Sequence, residues 1–199
     1  MKQQKVILVI ILAFVLLLVG AALLYNTLTR SMETDQLATL PGQEQTVPET
    51  TEPEETTSQK PLAPDFMVYD GDGNGVNLSD YFGKPIVLNF WASWCGPCKS
   101  EMPDFQKVFE ELGDEVQFLM VNATGGRETL DTAKAFIANS GYTFPVLYDA
   151  DGDASMTYRV YSLPTTYFID AKGYAIAQAT GAINESLLMK GIRSERAHV

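Results

Sequence analysis

Hydrophobic and polar positions divide the 199-residue chain into three regimes. Val6 to Leu24 is one uncharged, almost wholly apolar run of nineteen residues. Residues 31–60, SMETDQLATLPGQEQTVPETTEPEETTSQK, hold few large apolar side chains among Thr, Glu, Gln and Pro. From Pro61 the pattern becomes globular, with short apolar runs alternating with amphipathic ones. PDFMVYDGDGNGVNLSDYFGK predicts a hairpin and a turn, and PIVLNF a buried strand. A helix is expected from about Cys95 to Leu112, because Phe105, Val108, Phe109 and Leu112 keep helical spacing. EVQFLMVN reads as the next strand. RETLDTAKAFIANSG reads as a helix with Leu130, Ala133 and Ile137 on one side, closing near Gly141. FPVLYD is a strand, DASMTYRV a short helix and PTTYFID a strand. AKG then turns into YAIAQAT, and NESLLMKGI closes as a helix. Strands that alternate with helices and end in a hairpin predict an α/β fold with a mixed sheet between helical layers.

The first regime is long enough to matter for topology. At about 1.5 Å per residue, nineteen residues just cross a hydrocarbon core. The run also exceeds the usual signal-peptide apolar region of roughly 7–15 residues, which favours an uncleaved signal anchor. A cleaved signal peptide is the competing reading, with Val19-Gly20-Ala21 as its small-residue site. Lys2 and Lys5 precede the span, and Arg30 alone follows closely, which keeps the N-terminus in the cytoplasm. The expected organisation is a cytoplasmic N-terminus at 1–5, a transmembrane signal anchor at 6–25, a disordered acidic tether at 26–60 and an extracytoplasmic domain at 61–199. The tether cannot bury enough apolar surface to offset its ordering entropy, and its like charges extend it.

Charge narrows the function. The formal net charge is −11, and it is uneven: residues 31–60 carry seven acids against Lys60, and residues 61–199 eighteen acids against ten bases. No basic patch stands out, so nucleic acid is not an expected partner. Two acidic stretches imitate calcium loops. DGDGNG, from Asp70, has Tyr81 where the twelfth-position glutamate belongs, and DADGD, from Asp149, has Ala154 where the sixth-position glycine belongs. Both read as turns.

FWASWCGPCK, residues 90–99, holds both cysteines of the chain. A zinc site needs about four ligands, and beside the two cysteines there is only His198, near the C-terminus. Neither a metal nor a separate cofactor is therefore expected. A structural staple is disfavoured, since a disulfide across two intervening residues closes a very small loop and holds little together. The redox reading fits the context. Cys95 falls where strand gives way to helix, facing unpaired N–H groups and the positive end of the helix dipole, so its thiol is expected to ionise below the free value. Gly96 allows a tight turn, and Pro97 suits the first helical turn. Cys98, one turn in, is expected to be a covered resolving thiol behind an exposed attacking Cys95.

WCGPCK after an apolar strand resembles thioredoxin. With APDF at 63–66, LSDYFGKPIVLNFWASWCGPCKSEMP and LPTTYFID at 163–170, the chain from about 61 to 192 resembles the membrane-anchored TlpA/ResA-type thioredoxins. The resemblance implies a thioredoxin-like fold, a central mixed sheet flanked by helices. It implies that Pro164 is a cis-proline facing the disulfide, and that the Leu163 backbone pairs with substrate. Pro103 matches the kink of the family's active-site helix. Asn89 stands where cytoplasmic thioredoxins carry a buried aspartate, and Asn cannot ionise. Glu101, three residues after Cys98, is the candidate proton acceptor, through a partly buried carboxylate with a raised pKa. Trp94 is read as shaping the docking surface or filling core, Trp91 as core, and Lys99 as a solvated helix charge.

The expected activity is extracytoplasmic thiol–disulfide exchange, reducing disulfides in exported proteins such as apocytochrome c. The resemblance implies a CcdA/DsbD-type membrane thiol carrier as electron donor. A disulfide-forming oxidase and an electron donor to a methionine sulfoxide reductase are the alternatives. A peroxiredoxin is a further rival, because APDF also opens those folds, but their peroxidatic cysteine sits in a different loop motif.

Overall fold

The run PIVLNF becomes the centre of an eight-stranded mixed sheet in a computed structural model of the chain, which describes residues 17–19, 37–39 and 61–196. The strands are β1 (Leu37–Thr39), β2 (Met67–Tyr69), β3 (Gly75–Asn77), β4 (Ile86–Trp91), β5 (Gln117–Asn122), β6 (Val146–Tyr148), β7 (Thr165–Ile169) and β8 (Ala175–Thr180), in the spatial order β1-β8-β7-β4-β5-β6-β2-β3. β4, β5 and β6 run parallel, and β7, β8, β1, β2 and β3 pair antiparallel to their neighbours. A parallel pair needs a long crossover, which is what the helices supply.

All six residues of β4 are buried, because both faces of the sheet are covered. Alternate side chains serve two cores. Val87 and Trp91 join one, against α1 (Gly96–Leu112), α2 (Leu130–Ser140) and α4 (Glu185–Arg196). Ile86, Leu88 and Phe90 join the other, against Phe66, Leu78 in a 3₁₀ turn at Leu78–Tyr81, and Ala154 in α3 (Asp153–Thr157). Trp91 is fully buried and its Nε1 donates to the Met120 carbonyl at 3.2 Å, so it fills core as expected.

Helix α2 departs from its expected face. Leu130 is 40% exposed, whereas Ala133 is buried and Phe136 and Ile137 pack beside it. Leu130 is the first helical residue after the Thr129 N-cap, whose hydroxyl accepts the Thr132 N–H at 3.1 Å. Capping sets where the helix starts, and that leaves Leu130 outside the packed turn. Both calcium-like stretches are turns. Asp70 accepts the N–H groups of Asp72 and Asn74, and Asp149 those of Ala154 and Ser155 at the start of α3.

Close approach fixes one glycine. A Cβ on Gly191 of α4 would overlap the ring of Phe168, which is itself fully buried in β7. Gly191→Ala gains up to about 1 kcal/mol of helix propensity. Overpacking a buried ring costs about 1–3 kcal/mol, and an overlap this deep belongs at the upper end. The variant is expected to have a lower urea midpoint at unchanged m-value, and a midpoint at or above wild type would show that α4 shifts freely.

Two units are distinguished, Met1–Asp35 and Gln36–Val199. In the first, residues 17–19 are helical and exposed. The rest of the expected 6–25 span lies outside the described residues, and no described helix is long and apolar enough to cross a membrane. The second unit begins inside the stretch expected as the 26–60 tether. Leu37–Thr39 forms an edge strand, with Leu37 opposite Ala179 and Thr39 opposite Ala177. Adding a strand to an open edge uses main-chain hydrogen bonds, so a segment poor in large apolar side chains can do it. The remainder of the tether lies outside the described residues.

Candidate active site

Strand β4 ends at Trp91, and α1 starts four residues later with Cys95 as its N-cap. The Cys95 backbone is extended, with φ −79° and ψ 109°, and its Sγ accepts the Cys98 N–H at 3.2 Å. Pro97 occupies the first turn, where its missing N–H leaves no helical partner wanting. Cys95 and Cys98 are joined in a disulfide, with Cα atoms 5.3 Å apart. Cys98 is fully buried and Cys95 is 4% exposed. The expected order of exposure holds, but the attacking sulfur is far less open than expected, because Cys95 packs in the same core as Met102 and Phe105. Gly96, Pro97 and Lys99 are exposed around it.

Trp94 is 45% exposed, with the Arg127 guanidinium 4.7 Å from its ring centroid. Of its two readings, core filling is therefore excluded. The Leu163–Pro164 peptide bond is cis, and Pro164 is buried at the head of β7. Leu163 is half-buried against the core that contains both cysteines. The Pro164 carbonyl accepts the Gly181 N–H at 2.9 Å.

Glu101 lies on α1 one turn beyond Cys98 and is 2% exposed. Its Oε1 accepts from Asn89 Nδ2 and its Oε2 from the Ile183 N–H, each at 2.9 Å. Burial pushes its carboxyl up to about 7; the Ile183 and Asn89 hydrogen bonds pull the other way, and the nearby Asp104 raises it further. Asn89 Nδ2 also donates to Thr166 Oγ1 at 3.0 Å, which leaves Asn89 Oδ1 buried without a partner. The arrangement places a buried carboxyl, raised by its burial, one helical turn beyond a disulfide at a helix N-terminus.

Residues 60–177 match the AhpC/TSA family. The chain belongs to that family. Among similar proteins, the thioredoxin-like protein YneN of Bacillus subtilis is 40% identical over 111 residues, which cover 56% of this chain and 65% of that protein. The thiol-disulfide oxidoreductase ResA of the same organism is 34% identical over 135 residues, 67% of this chain and 74% of that one. A crystal structure of a protein described as the thiol:disulfide interchange protein DsbE, from Chlorobium tepidum, superposes with a TM-score of 0.62 at 30% identity, covering 68% of this chain and 96% of that one. The fold is thioredoxin-like, and the domain is that of a thiol-disulfide oxidoreductase.

Within this AhpC/TSA domain, sequence reasoning picked out Asn89 only as an acid that is missing; the structure makes it the amide that holds Glu101. It passed over Thr166, the Ile183 N–H and Glu128. Thr166 and Ile183 lie 77 residues from Asn89 and 82 from Glu101, and only the strand order brings them together. Glu128 had one available signal, an acid just before the Thr129 N-cap of α2.

Proposed function

We propose that this domain works outside the cell membrane, held there by the 6–25 segment, as a reductase of disulfides in exported polypeptides. The observation that carries this reading is the Cys95–Cys98 pair at the N-terminus of α1, with Cys95 Sγ receiving the Cys98 N–H. Donated hydrogen bonds and the helix dipole favour a thiolate at that sulfur. The names of the relatives support thiol–disulfide exchange as the reaction class.

In the reduced domain, Cys95 thiolate attacks a substrate disulfide, and the first substrate thiolate leaves. Cys98 then gives its proton to the Glu101 carboxylate and attacks Cys95 Sγ. The second substrate thiolate leaves, and two electrons have passed to the substrate as the Cys95–Cys98 bond forms. Trp94, Gly96 and Pro97 present the exposed rim on which the polypeptide lies, and the Leu163 backbone pairs with it as a strand would. A membrane dithiol carrier of the CcdA/DsbD type returns the two electrons, and the anchor keeps donor and domain at high local concentration. Apocytochrome c haem-site cysteines are a substrate of suitable chemistry.

Gly-Pro between the cysteines is the spacer of reducing thioredoxins, near about −270 mV. Equilibration of the dithiol against glutathione and dithiothreitol buffers tests the direction. A potential near that value supports a reductase, whereas one above about −150 mV would make the domain a disulfide-forming oxidase instead.

A further inference from the structure

The loop between β5 and α2 holds residues that the exchange chemistry does not use. Gly125 and Glu128 exchange backbone hydrogen bonds, each 2.9 Å, and close a tight reversal. Gly125 and Gly126 take φ of 135° and 56°, which a side chain would resist. The reversal turns Glu128 inward, where it is 2% exposed. Its Oε2 accepts both the backbone N–H and the hydroxyl of Ser93, each at 2.9 Å, and its Oε1 accepts the Thr132 hydroxyl at 3.2 Å. Ser93 lies two residues before Cys95, and Thr132 in the first turn of α2. The neighbouring Arg127 stays exposed and lies over Trp94. One loop therefore grips two consecutive residues just before the disulfide, Ser93 from inside and Trp94 from outside.

We infer that Glu128 is a positioning residue for the exchange reaction. It holds the Ser93–Trp94 stretch, and with it the rim beside Cys95, in the single arrangement on which a partner polypeptide docks. The inference rests on the dithiol-exchange reading above. A carboxylate inside a protein is costly unless it is hydrogen-bonded, and Glu128 takes two donors from the Ser93 segment, while the Thr132 hydroxyl is shared between its Oε1 and the Thr129 carbonyl. What it immobilises is a large aromatic ring under a flat cation, a contact surface whose ordering cost is met before the partner arrives. A polypeptide that lies across the rim feels that order, while a small disulfide that touches only Cys95 does not.

The test uses the full chain in detergent, with dithiothreitol as reductant, insulin as the polypeptide disulfide and DTNB as the small one. Glu128→Ala is expected to raise the KM for insulin roughly tenfold more than that for DTNB, the equivalent of about one charge-assisted hydrogen bond, with kcat moving less than KM. Glu128→Gln, which keeps an acceptor for Ser93, is expected to recover most of the loss. Arg127→Ala is expected to produce a smaller loss with the same selectivity. Equal slowing of insulin and DTNB by Glu128→Ala, or no slowing of either, would overturn the inference. If Glu128→Ala does not fold, Arg127→Ala decides, because its side chain is exposed, and an unchanged insulin KM overturns the inference. A wild-type chain inactive on both probes would instead overturn the exchange reading itself.

Discussion

Cys98→Ser leaves the chain caught on its substrate. Cys95 keeps its place at the N-terminus of α1, so the first attack proceeds and a mixed disulfide forms. The second step fails, because a serine hydroxyl neither ionises near neutral pH nor displaces a thiolate. Turnover of insulin is expected to fall by at least on the order of a thousandfold, the scale of loss when a nucleophile is deleted. A dithiothreitol-sensitive adduct should accumulate on non-reducing gels. Cys95→Ser should lose the same activity and form no adduct, because Cys98 is fully buried and has no access to a polypeptide. Burial also raises a control question, since a hydroxyl placed at position 98 sits in core and costs about 1–3 kcal/mol if unpaired. Cys98→Ala removes that hydroxyl and should trap substrate equally well. Adducts of similar yield from Cys95→Ser and Cys98→Ser would contradict the assignment of attacker and resolver.

The chemistry was legible in the chain because it is local. The strand β4, the turn at Gly96, the proline in the first turn and both sulfurs fall within the thirteen residues from Ile86 to Cys98, and local pattern places each of them. The core strands were legible for a similar reason: β4 is nearly all apolar, and β5 and β7 carry the continuous apolar runs FLMV and YFI, as strands covered on both faces do. What pattern missed depends on pairing across distance. The edge strand β1 has no apolar signature, because its partner is the backbone of β8. Cys95 looked exposed because a helix N-terminus usually is; it is only 4% exposed because it joins a core that also holds Ile183, before α4, and Leu187, within it. Glu101 was found from its spacing to Cys98, but the groups that set its protonation, Asn89 and the Ile183 N–H, come from β4 and from the turn before α4. Ser93 and Glu128 are 35 residues apart, and nothing in either local segment points to the other.

Glu101 yields the second large effect, in which stability and rate move oppositely with pH. Burial, first among the causes, pushes its carboxyl up to about 7 in the folded chain, against 4.5 for a solvated glutamate. Between those values the folded state holds a proton that the unfolded state has released. Stability from this group is therefore fully present below about pH 4.5 and is lost as pH rises through about 7. At 1.36 kcal/mol per pKa unit the loss is about 3 kcal/mol, with little solvent screening at 2% exposure. Glu101→Gln removes that dependence. Asn89 allows the replacement: turning its side-chain amide over brings the unpartnered Oδ1 to face a Gln N–H and the Thr166 hydroxyl, in place of Nδ2. The same turn accommodates the protonated acid. Measured on the disulfide form, where neither cysteine titrates, Glu101→Gln should match wild type near pH 4 and exceed it by about 3 kcal/mol at pH 8. The rate should respond in the other direction. As a base, Glu101 works only when ionised, so wild-type resolution of the mixed disulfide should climb through pH 7, and the variant should lack that rise and be slower by about a hundredfold or more at pH 8. Denaturant titration and stopped-flow resolution across pH 4–9 measure both. If wild type gained stability relative to the variant on going from pH 5 to 8, Glu101 would not be destabilised by its charge, and if the two rate profiles coincided, it would not be the proton acceptor. Both expectations come from one cause, a carboxylate kept out of water, so the residue that costs the fold stability above neutral pH is the one that speeds release of the substrate.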